Sequence, residues 1–313
     1  MKHPLIFVLL ACLLLSACTA APAQSPAGDQ VTDVQTSASS GVLQPGVESP
    51  WQVVFQKSTE QTLRVAAFYS RDYGITGGPS EAGIAHYTLD GAGQWTPATS
   101  SADCLFGLDI VDTQVAWECG LGPVRVSTDG AQTWQPAADY GNYCRQLSFL
   151  DAQNGWVASA KTLAATTDGG KTWQPISLPQ KDMDIAAMSL HAAQTGYVLG
   201  TDGVVYATQD GGASWLAHPL PLESGGSKLS APETASAAVR FTDTDHGLVV
   251  IHLTADDKSQ LLILRTSDSG QSWQPELSMN APLLISVYLS HDGSTLTVTD
   301  KLNSQITVLQ YTD

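Results

Sequence analysis

The stretch "TTDGGKTWQP" (166–175) has near copies on both sides, "STDGAQTWQP" (127–136) and "TQDGGASWLA" (208–217). Two more distant copies follow the same pattern, "TLDGAGQW" (88–95) and "TSDSGQSW" (266–273). Their tryptophans, Trp95, Trp134, Trp173, Trp215 and Trp273, are spaced 39, 39, 42 and 58 residues apart. A fixed period of this size marks a repeat architecture, in which each repeat is one supersecondary unit.

Each copy reads as a tight turn closed by its own side chains. The hydroxyls of Thr88, Ser127, Thr166, Thr208 and Thr266 can accept hydrogen bonds from turn amides, as can the carboxylates of Asp90, Asp129, Asp168, Asp210 and Asp268. Gly170, Gly212 and Gly270 allow a positive φ at little steric cost. The tryptophan then opens the next strand and buries its ring.

The segments between turns are short and rich in Val, Ile, Tyr and Leu. Over 183–220 they run "MDIAAMSL", "GYVLGT", "GVVYATQ" and, after the turn, "WLAHPL", four strands separated by Gly and Asp. Four antiparallel strands per roughly 40 residues make one blade of a β-propeller. Complete units run over 62–98, 104–138, 145–178, 183–220 and 234–278, and a sixth has three strands, "LLISVYLS", "STLTVT" and "SQITVLQY". Its fourth strand is expected from "WQVVFQ" (51–56), paired onto 304–311, which would close the ring and remove an exposed sheet edge. The expected fold is therefore all-β, a six-bladed propeller, with five or seven blades as alternative counts.

The Ser/Thr-x-Asp-x-Gly-x-x-Trp turn resembles the Asp-box, or bacterial neuraminidase repeat, of sialidases, xyloglucanases, sortilin-type receptors and photosystem II assembly factors. The resemblance implies that the turns join third to fourth strands, on the face away from any active site, and are structural. The 39-residue spacing and the "NGWVAS…TTDGGKTWQ" phrasing (154–174) are most similar to the photosystem II assembly factors. That likeness implies an exported or membrane-associated scaffold that binds protein and has no catalysis. Those factors typically have seven blades and an arginine-rich face, whereas this chain has only six arginines.

The ends and the composition add a setting. "MKHPLIFVLLACLLLSAC" carries an apolar run from Leu5 to Leu15, too short to span a bilayer and suited to a secretory signal. Leu15-Ser16-Ala17-Cys18 resembles a bacterial lipobox, which implies lipidation of Cys18 and a hold on the outer face of a membrane. The domain reading is a signal peptide over 1–17, a lipidated Cys18 with an Ala/Pro/Ser-rich tether over 18–49, and a propeller over 50–313. The tether has too few bulky apolar residues to offset its ordering entropy. With 30 Asp+Glu against 14 Lys+Arg, the chain lacks a basic stripe for phosphates, so nucleic acid is a poor partner.

The loops joining fourth to first strands and second to third strands should form one upper face. Candidate recognition loops are 69–83, 139–145 and 222–235, with Arg64, Tyr69, Arg71, Tyr73, Tyr140, Tyr143 and Arg145 as binding residues, since aromatic and Arg side chains dominate interface energetics. A carbohydrate-active propeller is the competing reading. A sialidase would need three convergent arginines. Here Arg64 and Arg145 are equivalent, Arg240 falls three residues later, and the strand "TLRVAAF" (62–68) lacks that family's Arg-Ile-Pro motif. Asp72, Asp103, Asp139, Glu223 and Glu233 are loop acids placed on the same face that could serve glycoside hydrolysis. No catalytic residue, cofactor or metal is assigned, and His246 and His252 lack ligand spacing. Export permits one disulfide among Cys104, Cys119 and Cys144. The expected bridge is Cys104–Cys144, with Cys104–Cys119 as the alternative.

Overall fold

The computed structural model describes residues 49–59, 62–78, 85–140, 143–222, 228–229, 236–255 and 258–312. The expected signal peptide, Cys18 and the expected tether up to residue 48 lie outside the described residues, as do Glu223, Glu233 and most of the candidate loop 222–235.

The described residues form six antiparallel sheets, arranged as the blades of a propeller. The first blade is β2 (Val65–Phe68), β3 (Gly74–Gly77), β4 (His86–Thr88) and β5 (Thr96–Pro97). The second is β6 (Asp103–Ile110), β7 (Ala116–Leu121), β8 (Arg125–Ser127) and β9 (Gln135–Pro136). The third is β10 (Gln146–Phe149), β11 (Gly155–Ala158), β12 (Leu163–Thr166) and β13 (Gln174–Ile176). The fourth is β14 (Ile185–Ala192), β15 (Thr195–Gly200), β16 (Val204–Thr208) and β17 (Leu216–Pro219). In the fifth, β19 (Ala237–Phe241), β20 (Gly247–Ala255), β21 (Lys258–Thr266) and β22 (Gln274–Asn280) are joined by the short β18 (Lys228–Leu229) on β20.

The sixth blade is β23 (Ile285–Leu289), β24 (Thr295–Asp300) and β25 (Gln305–Tyr311), completed by β1 (Trp51–Ser58). Trp51 pairs with Tyr311 and Ser58 with Gln305, so the N-terminal strand closes the ring as the sequence predicts. The backbone N–H and hydroxyl of Thr312 donate to the Pro50 carbonyl, at 2.7 and 3.0 Å, and lock the junction.

The repeated turns close themselves. The Thr166 hydroxyl donates to Asp168 Oδ1 at 2.8 Å and accepts from the Gly170 N–H at 2.9 Å. Asp168 in turn accepts from the N–H and the hydroxyl of Thr172, at 3.0 and 2.7 Å. Blades two, four and five repeat this with Thr133, Ser214 and Ser272 as the last partner. These hydroxyls, one residue before each tryptophan, are a part of the turn that the sequence reading missed. The donors on Asp168, chiefly the Thr172 N–H, hold its carboxyl at about 2.

Two successive residues of each turn have positive φ, for example Gly169 and Gly170 at 73° each, which is why glycine recurs there. The first two blades place Ala92 and Ala131 in this conformation at 65° and 68°. The tryptophans precede the outer strands by one residue. Trp134 and Trp273 are buried, while Trp95, Trp173 and Trp215 are half-buried instead of covered as expected. The indole N–H of Trp173 and of Trp215 ties its blade to the previous one through the carbonyls of Ala138 and Ser177.

Candidate functional site

Strand direction decides which loops share a face. The innermost strand of each blade starts on the upper face and ends on the face of the repeated turns. Arg64 directly precedes β2 and Arg145 directly precedes β10, so both stand at the upper rim. Tyr140 and Tyr143 belong to the connection from β9 to β10, on the same face. The Tyr140 hydroxyl donates to the Tyr143 carbonyl at 2.7 Å, and its ring meets Trp173 edge-on at 6.1 Å. Tyr143 is left exposed at 54 %.

Tyr69, Arg71 and Tyr73 do not join this group. They lie in the loop from β2 to β3, on the repeated-turn face, where the Asp72 carbonyl accepts the Gly91 N–H of the turn at 3.0 Å. The sequence reading merged this loop with the next because "GITG" looks like part of one long insertion. It is a strand whose end glycines are forced by neighbours. A Cβ on Gly74 would come within 2.6 Å of the Phe68 ring, and one on Gly77 within 1.9 Å of Leu105. Tyr73 is also buried, and burial foremost, with Asp112 and Asp129 nearby, raises its hydroxyl well above the usual tyrosine value. It therefore offers nothing to a partner. Asp72 moves to the lower face with it, away from Asp139.

The disulfide joins Cys119 to Cys144, with Cys104 buried outside the bridge. This replaces the expected Cys104–Cys144 bridge. The ladder between β6 and β7 is irregular between Asp103 and Gly107, and Cys104 takes a φ of 54°. Cys104 consequently meets the first blade, where Arg64 Nη1 donates to its sulfur at 3.6 Å. Gly107 clears the space beside Cys119: a Cβ there would lie 3.3 Å from its sulfur and 3.0 Å from the Arg145 carbonyl. The bridge pins the Tyr140–Arg145 loop to the second blade. Arg64 itself lies over the Phe106 ring, 4.3 Å from the centroid.

Below this rim the innermost strands line a central channel. Their penultimate channel residues form a collar at the lower end: Ala67, Asp109, Ser148, Ser189, Arg240 and Tyr288. Each serine accepts the N–H of the last channel residue of the next blade, Leu190 on Ser148 and Phe241 on Ser189, at 2.9 and 3.3 Å. Asp109 does the same for Phe149 at 2.7 Å and then receives Arg240 Nη2 at 3.1 Å and His291 Nε2 at 3.0 Å. The Tyr288 hydroxyl meets the N–H and carbonyl of Ile110 at 3.1 and 3.2 Å. Burial would raise the Asp109 carboxyl, but His291 and Arg240 outweigh it and hold the group below the usual range. The collar seals the channel at the repeated-turn end.

The sequence reading correctly set Arg240 apart from Arg64 and Arg145, but it missed Asp109 and His291. The signal was present: a charged residue inside an apolar inner strand, as in "FGLDIV" or "AAVRF", must find a buried partner.

Among the described residues no group of three His, Cys, Asp or Glu side chains could hold a metal ion. His246 bonds to Asp243 through Nδ1 at 2.9 Å, and His252 is buried against Ser259. No helix of the described residues is long and apolar enough to cross a membrane.

Fold and face together define a six-bladed propeller with a sealed channel and an aromatic, disulfide-pinned upper rim. A family model for the photosynthesis system II assembly factor YCF48 matches residues 131–230. No curated protein matches the chain's sequence. Among solved structures, YCF48 bound to D1 peptide is similar at 15 % identity and a TM-score of 0.51, covering 86 % of this chain and 99 % of that one. The WD40 repeats of RRP9 give 12 % and 0.52, covering 85 % and 98 %. An ancestral GH74 enzyme gives 14 % and 0.51, covering 79 % of this chain and 36 % of that one. At these identities the structural likeness speaks to the fold, and the fold alone hosts many functions. The chain is thus a six-bladed β-propeller whose residues 131–230 are similar to the assembly-factor family.

Proposed function

We propose that this protein is an exported, lipid-anchored propeller that binds a protein segment at a membrane surface and serves the assembly of a membrane complex, without catalysis of its own. The observation that supports this most is the match of residues 131–230 to the assembly-factor model. That stretch contains the Tyr140–Arg145 rim. The solved YCF48 is bound to a D1 peptide, and the ligand class inferred for this chain is likewise an extended peptide segment. Tyr143 offers exposed aromatic surface beside Arg145, on a loop stiffened by Cys119–Cys144, so little ordering entropy opposes binding.

The lipid anchor rests on the Leu-Ser-Ala-Cys18 pattern. Of the acids offered for the glycan-binding alternative, Asp72 lies on the face opposite Asp139, and Glu223 and Glu233 lie outside the described residues.

The test is affinity purification of the full-length protein from mildly solubilised membranes, with co-purifying proteins identified by mass spectrometry. One membrane-complex subunit in near-stoichiometric amount, lost in Tyr143→Ala/Arg145→Ala, is the expected result. A clean preparation without a partner would overturn the reading. For the anchor, Cys18→Ser should move the protein from the membrane to the soluble fraction; a variant that stays membrane-bound would refute lipidation as the hold.

A further inference from the structure

The collar leaves one of its charged groups short of acceptors. The Arg240 side chain is only 7 % exposed. Of its five N–H donors, the two on Nη2 go to Asp109 Oδ1 at 3.1 Å and to the Leu289 carbonyl at 3.3 Å. Nε and Nη1 are buried and have no partner among the described residues. The polar groups of the collar are engaged elsewhere. Asp109 takes the Phe149 N–H on Oδ2 and meets both Arg240 and His291 with Oδ1. The Tyr288 hydroxyl is held between the N–H and carbonyl of Ile110. One carboxylate therefore serves two basic side chains, and a buried guanidinium with bare donors is costly unless something else meets them.

Arg240, Asp109 and Tyr288 line the foot of a cavity of about 50 Å³ in the channel. The innermost strands surround it with backbone. The N–H groups of Ile110, Phe149, Leu190 and Phe241 point across the channel, away from the second strand of their own blade. Alternation along a strand sends the N–H and C=O groups two residues earlier the same way. Those residues are Leu108, Leu147, Met188 and Val239, and all four line the cavity. A ring of inward-facing backbone amides thus stands above the collar. The space exceeds what a single water requires and is far too small for an organic ligand.

We propose that the foot of the channel binds a monovalent inorganic anion of halide size, held by Nε and Nη1 of Arg240 and by N–H groups of the backbone ring. An anion meets the bare donors, and it also supplies negative charge to a guanidinium whose own carboxylate is shared with His291. Water does only the first. The collar shuts the lower end, so the ion enters from the upper mouth, past Arg64 and Arg145, whose charges favour its approach.

The test uses the full-length protein in solution, with chloride, bromide and nitrate as probes against gluconate at equal ionic strength. We expect a saturable rise in melting temperature with the three small anions, since each binds the folded state alone, and none with sulfate. The chloride NMR signal should broaden in the presence of the protein and sharpen again as nitrate displaces the bound ion. Asp109→Ser combined with Arg240→Met removes the donors together with their carboxylate and should weaken apparent affinity by about tenfold or more. His291→Gln, a change in a half-buried side chain, takes away one basic partner of Asp109 and should weaken binding to a smaller degree; it carries the test if the double variant does not fold. Absence of a saturable response, an equal response to sulfate, or undiminished affinity in either folded variant would each overturn the proposal and leave water as what meets Arg240. The site requires no protein partner, so a failed affinity purification leaves these readouts unchanged.

Discussion

Arg240 and Asp109 belong to the fifth and second blades, three places apart in a ring of six, yet Nη2 and Oδ1 stand 3.1 Å from each other across the channel. Both side chains are buried, at 7 % and 1 % exposure. A buried pair is costly to break, because the survivor keeps an uncompensated charge. Arg240→Met should therefore lower stability by about 3 kcal/mol in urea denaturation, His291 softening the loss. Asp109→Ser combined with Arg240→Met, which gives the second blade the serine of the third and fourth, should recover most of it. If the double variant is as unstable as the single one, the pair is not the unit that seals the collar.

Ala131 holds a φ of 68° at the turn position where the later blades have glycine. A left-handed alanine carries backbone strain of order 1 kcal/mol. Ala131→Gly should raise the melting temperature by a few degrees at most, the gain being trimmed by glycine's larger unfolded-state entropy. The converse change, Gly212→Ala, should be strongly destabilising, since its Cβ would sit 2.2 Å from Ile176 Cγ2. Differential scanning calorimetry of the two variants checks both signs.

Glu118 is fully buried on β7 beside the Ala102 N–H and the Ser101 hydroxyl. Burial pushes its carboxyl up to about 8, against the opposing pull of those donors and of Arg125. The folded value lies above the unfolded one, near 4.3. Stability from this group is thus complete below about pH 4 and is lost as the pH rises towards 8. Glu118→Gln should flatten the fall in unfolding free energy between pH 5 and 8, by up to a few kcal/mol at the upper end. Chemical denaturation across that range measures it; parallel wild-type and variant curves would contradict the assignment.

The Cys119–Cys144 bridge closes a 25-residue loop. Chain-entropy arguments give about 3 to 4 kcal/mol for a loop of that size. Cys119→Ser/Cys144→Ser should lose an amount of this order. Alkylation without reductant should label Cys104 only after denaturation. Peptide mapping that recovers a Cys104–Cys144 pair would refute the connectivity.

How much of this could be read beforehand depends on how local each determinant is. The turns were legible because Thr166, Asp168 and Gly170 bond within five residues of one another. The closure was legible because Trp51 opens its strand much as Trp173 stands directly before its own. The loop from Tyr69 to Tyr73 was misplaced because Gly74 and Gly77 hide a strand; their absent side chains answer to Phe68 and Leu105, not to strand propensity. The disulfide was misassigned because a register irregularity before Gly107 turns Cys104 to another blade. Asp109 and Arg240 were conspicuous singly, but 131 residues separate them, and only the closed ring brings them together.

The strand Trp51–Ser58 is made first and is needed last. Its partner Gln305–Tyr311 lies some 250 positions downstream, so the loop it closes is nearly the whole chain. Such long-range pairing is slow to form. Until it forms, both the leading strand and the sixth sheet present unsatisfied backbone to any other chain nearby. The ring is a buckle fastened at the end of folding. An early copy could fasten to its neighbour in place of itself, so a two-chain exchanged dimer is the misassembly to look for when the protein is refolded at high concentration.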